Sequence, residues 1–238
     1  MDSTRHAWLA RIGAEFAIIV VGVIIALAFD EWRQVQNDLL EERRYYERLA
    51  RDLGGDISAW TTLLDYMREK DAALERLDRW LDDDLAGADY PPGAIAADLA
   101  GAANYSGSIP PARLSTCQEL LSTGNIALLR NENFRAQLLD YYFQIENGLS
   151  RIDSRTSGYH DAAFRLVPRT MEQTADHFAR PDLSEEELQS IVVKARSEDL
   201  KPLLIGERNR VLFLKAIVMR FLESARSLHE FALAEAGA

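Results

Sequence analysis

The amino-acid sequence predicts an all-α protein in which a single N-terminal transmembrane helix continues into a bundle of long helices. Three observations predict it. Residues 12–29 are apolar or small except for Glu15. From Trp32 to Leu81, apolar side chains recur three and four apart with no proline to interrupt them. No segment shows sustained two-residue alternation rich in β-branched side chains, the mark of a strand.

Residues 1–11 form an N-terminal tail carrying Arg5 and Arg11, and residues 12–30 form the predicted membrane helix. At about 1.5 Å per residue the apolar run makes a helix ~27 Å long, close to the ~30 Å of a bilayer's hydrocarbon. A cleaved signal peptide is the rival reading, since the two arginines precede the run and Ala26 and Ala28 resemble a cleavage pattern. The run exceeds a usual signal core, however, and a helical pattern leads straight on from it. A buried core helix fits less well, because the run is apolar on every face.

Glu15 lies one turn inside the edge of this span. At 100° per residue Glu15, Gly22, Ala26 and Arg33 fall within about 20° of one line. Gly22 and Ala26 have the small-xxx-small spacing that lets membrane helices approach closely. The expectation is an anchor that packs through this face, with a second copy of the chain or another membrane protein as partner beside the lipid bilayer. The competing reading is that both small residues are incidental in an Ala-rich helix. Trp32 is placed as an interfacial aromatic anchor.

Residues 31–85 read as a long stalk helix with its seam at Trp32, Val35, Leu39, Tyr46, Leu49, Leu53, Ile57, Trp60, Leu64, Met67, Leu74, Leu77 and Leu81, skipping Glu42 and Asp71. Gly54-Gly55 coincides with a slip in that seam and predicts a kink or a break into two helices. Residues 86–112, with Pro91-Pro92 and Pro110-Pro111, read as a connection holding a short helix over 94–103. Residues 113–238 read as a helical bundle packing on the stalk. A helix from Leu114 stops at Gly124-Asn125. Asn131 caps a long helix with its seam running from Phe134 to Leu166. Ser184-Glu-Glu-Glu187 is a capping box, and a last helix runs from Leu203 to about Ala234 with its seam at Val211, Leu214, Val218, Phe221, Ala225, Leu228 and Ala232.

Three of these stretches share a pattern: Gly13, Glu15, Gly22, Ala26-Leu27 and Trp32; "YYERLARDL" over 45–53; and "ELLSTGNIALLRNENFRAQLLDYY" over 119–142. Together they resemble a bacterial family known only as a domain of unknown function, whose members start with a Gly/Glu-containing membrane helix. The resemblance covers residues 13–142 and leaves the last third unmatched. Gly13 and Glu15 are separated by Ala14, where the family pattern also sets them side by side. It implies a bacterial protein with a retained anchor and helical soluble part, and carries over no established activity.

The formal net charge of −11 argues against a nucleic-acid partner, which needs a concentrated Lys/Arg surface. The single cysteine, Cys117, excludes an internal disulfide. No phosphate-binding, zinc-protease or nucleophile-elbow motif is present, so no catalytic, cofactor or metal residue is assigned and the chain is not expected to be an enzyme. Asp82, Asp83 and Asp84 diverge on a helix and read as a solvated helix end. His160, Asp161 and His177 are too scattered for a ready dyad. The turn holding Gly124, Asn125 and Arg130 is the candidate interaction loop, against its plainer reading as a helix connection.

The function so predicted is binding, as a scaffold, sensor or assembly subunit. The alternative is a subunit of a proton-driven or transport complex using Glu15. Arg5 and Arg11 outnumber Arg33 close to the span and favour a cytoplasmic N-terminus in the bacterial inner membrane. Arg43, Arg44 and Arg48 reverse the count in a wider window. The nearer charges place the soluble part in the periplasm.

Overall fold

A computed structural model describes residues 3–85, 89–103, 112–153, 158–168 and 178–237; side chains 3–19 and 148–153 are outside the description. Among the described residues the protein is all-α. Its helices are α1 (Ser3–Leu81), α2 (Pro92–Ala103), α3 (Ser115–Thr123), α4 (Glu132–Asp153), α5 (Gly158–Leu166), α6 (Glu185–Ser197) and α7 (Lys201–Gly237).

The spine is an antiparallel pair. Along it Asp82 meets Lys201, Lys70 meets Glu207, Trp60 meets Phe221, Tyr46 meets Phe231, and Arg43 donates from Nε to the Ala236 carbonyl at 2.6 Å. Apolar burial drives the pairing. Tyr46, Leu49, Leu53, Trp60, Leu64, Met67, Leu74 and Leu77 of α1 are buried, as are Val211, Leu214, Val218, Phe221, Ala225, Leu228 and Ala232 of α7. From Tyr46 onward the predicted seam of α1, like that of α7, therefore faces the core, while its Trp32, Val35 and Leu39 stand exposed.

α1 passes through Gly54-Gly55 without interruption, so the predicted break is absent. Close packing accounts for Gly55, where a Cβ would overlap the Arg113 guanidinium, whereas a Cβ on Gly54 would sit at ordinary contact distance, 3.4 Å from His229 Nε2. The short helix read over 94–103 in the connection is α2; nearly every side chain in it is buried, and it packs on α1, α5 and α6. Its Ala/Gly composition lets three helices approach closely at one site.

The cap signals are realised locally. Gly124 takes a left-handed φ of 77° and closes α3 through its N–H to the Leu121 carbonyl. Asn131 Oδ1 accepts from the Phe134 N–H at 2.9 Å. Ser184 and Glu187 form the reciprocal capping box. Of the one long helix expected from Phe134 to Leu166, the described residues give α4 and α5; residues 154–157 between them lie outside the description. The helix end at Asp82 and Asp83 is also more than a solvated cluster, because Lys201 and Arg196 pair with it and tie it to α7 and α6.

Candidate functional site

Packing on α1 begins in earnest at Glu42. Below that point Val20, Val21, Val23, Ile24, Ile25, Leu27, Phe29, Trp32, Val35, Leu39 and Leu40 all stand exposed. Gly22 has no atom within 4 Å of where a Cβ would sit, and Ala26 is likewise exposed. Trp32 is 58% exposed, with the Phe29 ring at a centroid distance of 5.8 Å. The Glu15 side chain lies outside the described residues. Among the described residues no helix is long and apolar enough to cross a membrane. Of the expected span 12–30, the described side chains begin only at Val20.

The turn between α3 and α4 is pinned to α1. Tyr45 Oη accepts from Asn125 Nδ2 at 2.8 Å and donates to Glu119 Oε1 at 3.3 Å. Arg48 makes a forked pair with Glu119, which holds that carboxyl below the usual carboxylate range. Glu42 Oε1 accepts from the Arg130 backbone N–H at 2.8 Å, and its other oxygen lies 3.5 Å from the Arg130 Nε. Asn125 and Arg130 are thus both tied to α1, and the turn is a docked connection between α3 and α4.

One helical turn further along, α1 supplies a cap that α3 lacks. Leu114, at the N-cap position, makes no side-chain cap bond. Asp52 Oδ2 accepts instead from Thr116 Oγ1 at 2.6 Å and from the Thr116 N–H at 3.3 Å. Four residues on, Asp56 accepts from the Arg113 N–H at 2.9 Å and from Tyr141 Oη at 3.1 Å, while Trp60 Nε1 donates to that same tyrosine oxygen at 3.0 Å. Burial raises the Asp56 carboxyl above its ordinary value against the pull of those donors.

Two further polar clusters escaped the sequence reading. Asp98 of α2, buried, takes a forked pair from Arg76 at 2.7 Å for each bond and a Tyr90 Oη donation at 2.6 Å. It lines a cavity of about 600 Å³ with Phe178, Arg180 and Glu185. Lys70 Nζ and Glu207 Oε1 meet 2.7 Å apart in the α1–α7 core, with Arg210 Nε 3.3 Å from the other Glu207 oxygen. Burial pulls the Lys70 ammonium below the ordinary lysine range despite that partner. Asp98 and Glu207 take the cations Arg76 and Lys70 from segments remote in sequence, which no motif announces.

Tyr141 and Tyr142 are core residues, as are Tyr45 and Tyr46, and burial raises the Tyr46 phenol to about 12. Burial likewise pushes the Cys117 thiol up to about 11. His160 Nδ1 lies 2.7 Å from the Ala103 carbonyl and packs on Phe164, while His177 is outside the described residues. No group of three or more metal-ligating side chains comes together among the described residues. The geometry's chemistry is that of fixing helices to one another: each carboxylate above binds a neighbouring element.

No family model, curated protein or solved structure matches this chain.

Proposed function

We propose that this chain is a single-pass bacterial inner-membrane protein with a helical bundle that acts by binding, as a scaffold, sensor or assembly subunit. One observation carries the reading. The apolar side chains at residues 20–40 project from α1 with no other described element over them, and they continue the apolar run from Ile12. Contiguous exposed apolar surface on this scale marks a membrane or protein contact. The resemblance to the membrane-anchored bacterial family supports the same reading, and the acidic net charge keeps nucleic acid off the list of partners.

In this reading residues 12–30 span the bilayer, Trp32 sits at its interface and the bundle lies in the periplasm. Alkaline carbonate washing of membranes from cells expressing the full chain tests the anchor: the protein stays in the pellet, and release into the supernatant refutes it. A C-terminal reporter active only in the periplasm tests the orientation. Glu15→Gln separates binding from proton coupling. Membrane retention and fold are unchanged in either case, and loss of the cellular phenotype with Gln at position 15 would favour a proton-driven complex.

A further inference from the structure

The packed seam of α1 does not end where α7 does. Within the bundle, Tyr46, Leu49 and Leu53 step by three and four and lie buried; Phe231 of α7 packs on the Tyr46 ring. The last described residue of α7, Gly237, is level with Arg43, which holds the carbonyl of Ala236. Below that level the same alternation runs on through Leu39, Val35, Trp32, Ala28, Ile25 and Val21, every one exposed. A sustained three-four alternation is the pattern of a helix that coils with another helix. Through the span alone this would mean little, since apolar residues occur on every face there. Outside it the pattern discriminates: Trp32, Val35 and Leu39 share one side, whereas Arg33 and Asn37 occupy the opposite face.

We propose that this uncovered seam is where a second copy of the chain packs, as a parallel two-helix coil running from the membrane segment to the base of the bundle. The inference rests on the anchored reading for its direction, because two copies inserted in one membrane run the same way. Charge placement fits that partner. Asp38 and Arg43 flank the seam on opposite sides and are five residues apart, so in a parallel, in-register pair each Asp38 faces the Arg43 of the other copy. The seam also continues an interface that the chain already makes with its own α7. This face is turned roughly 120° from the one holding Gly22 and Ala26. The two faces therefore make opposite predictions about which positions meet.

Single cysteines at positions 31–40, introduced one at a time into the full chain with Cys117→Ser, test this in native membranes under mild oxidation. Disulfides form only where Cα atoms come within about 7 Å, so cross-linked dimer at Trp32→Cys, Val35→Cys and Leu39→Cys should exceed that at Arg33→Cys and Asn37→Cys at least fivefold. Asp38→Arg should lower the yield at Val35→Cys. Cross-links that peak at Arg33 and Asn37 overturn the proposal in favour of the small-residue face, and absence of cross-links at every position overturns it in favour of a different partner. The carbonate wash is read on the same samples. Pelleted protein without the seam pattern sinks the pairing and spares the anchor; the seam pattern in washed-off protein sinks the anchor and spares the seam.

Discussion

The buried Lys70–Glu207–Arg210 cluster allows a sharp, asymmetric prediction. Lys70 and Glu207 side chains are 6% and 3% exposed, so neither charge can relax into water when its partner is removed. Replacing one member of a buried pair costs about 3–5 kcal/mol, chiefly through the charge left behind. Glu207→Leu strands two cations, Lys70 and Arg210, and should lose that full amount. Lys70→Met leaves Glu207 with Arg210 3.3 Å away and should lose less than about 2 kcal/mol. The double replacement should recover much of the Glu207→Leu loss, because Arg210 alone is partly exposed. Urea unfolding of the full chain in detergent, followed by Trp fluorescence, reads these differences. At slopes of ~2–3 kcal/mol/M the Glu207→Leu midpoint falls by about 1–2 M. The lowered Lys70 pKa adds a pH signature. Between that lowered value and the ordinary lysine range the unfolded chain binds more protons than the native one, so stability rises with pH across the window. Lys70→Met should shrink that rise. A Glu207→Leu protein no weaker than Lys70→Met, or a double variant weaker than Glu207→Leu, refutes the reasoning.

Two glycines should respond in opposite directions in the same unfolding assay. Gly54→Ala, inside an unbroken helix with His229 at ordinary contact distance, should gain about 0.5–1 kcal/mol, and Gly124→Ala, at φ 77°, should lose about 1 kcal/mol. Cys117, buried with its thiol pushed up to about 11, should resist maleimide at neutral pH and react in step with urea unfolding; rapid labelling of the native protein would contradict its place in the core.

Much of the fold is legible because helix seams and caps are local signals. The Phe134–Ile145 and Val211–Ala232 seams, the Gly124 stop, the Asn131 cap and the Ser184 capping box all appear where their residue types place them. The misses share a cause. The seam of α1 steps from Met67 through Lys70 to Leu74, but a lysine reads as surface, so Asp71 stands in the sequence reading as the skipped position. Glu42 is skipped for the same reason, though it is buried and binds the Arg130 N–H. In each case the partner that makes burial tolerable is remote in sequence. Gly54-Gly55 misleads differently. Glycine lowers helix propensity, and here burial of Leu49, Leu53 and Trp60 on either side outweighs that cost. The candidate loop is legible as a turn, while its attachment to Tyr45 and Glu42 needs the third dimension.

The unbroken course of α1 has a mechanical meaning. Its 79 residues make a rod of ~120 Å at about 1.5 Å each, and no loop divides the part inside the bundle from the exposed part below it. A tilt of ~10° at the lower end therefore swings the far end by roughly 20 Å, carrying the attached helices as a lever arm carries a load. Force applied at either end reaches the other directly, without a joint to absorb it.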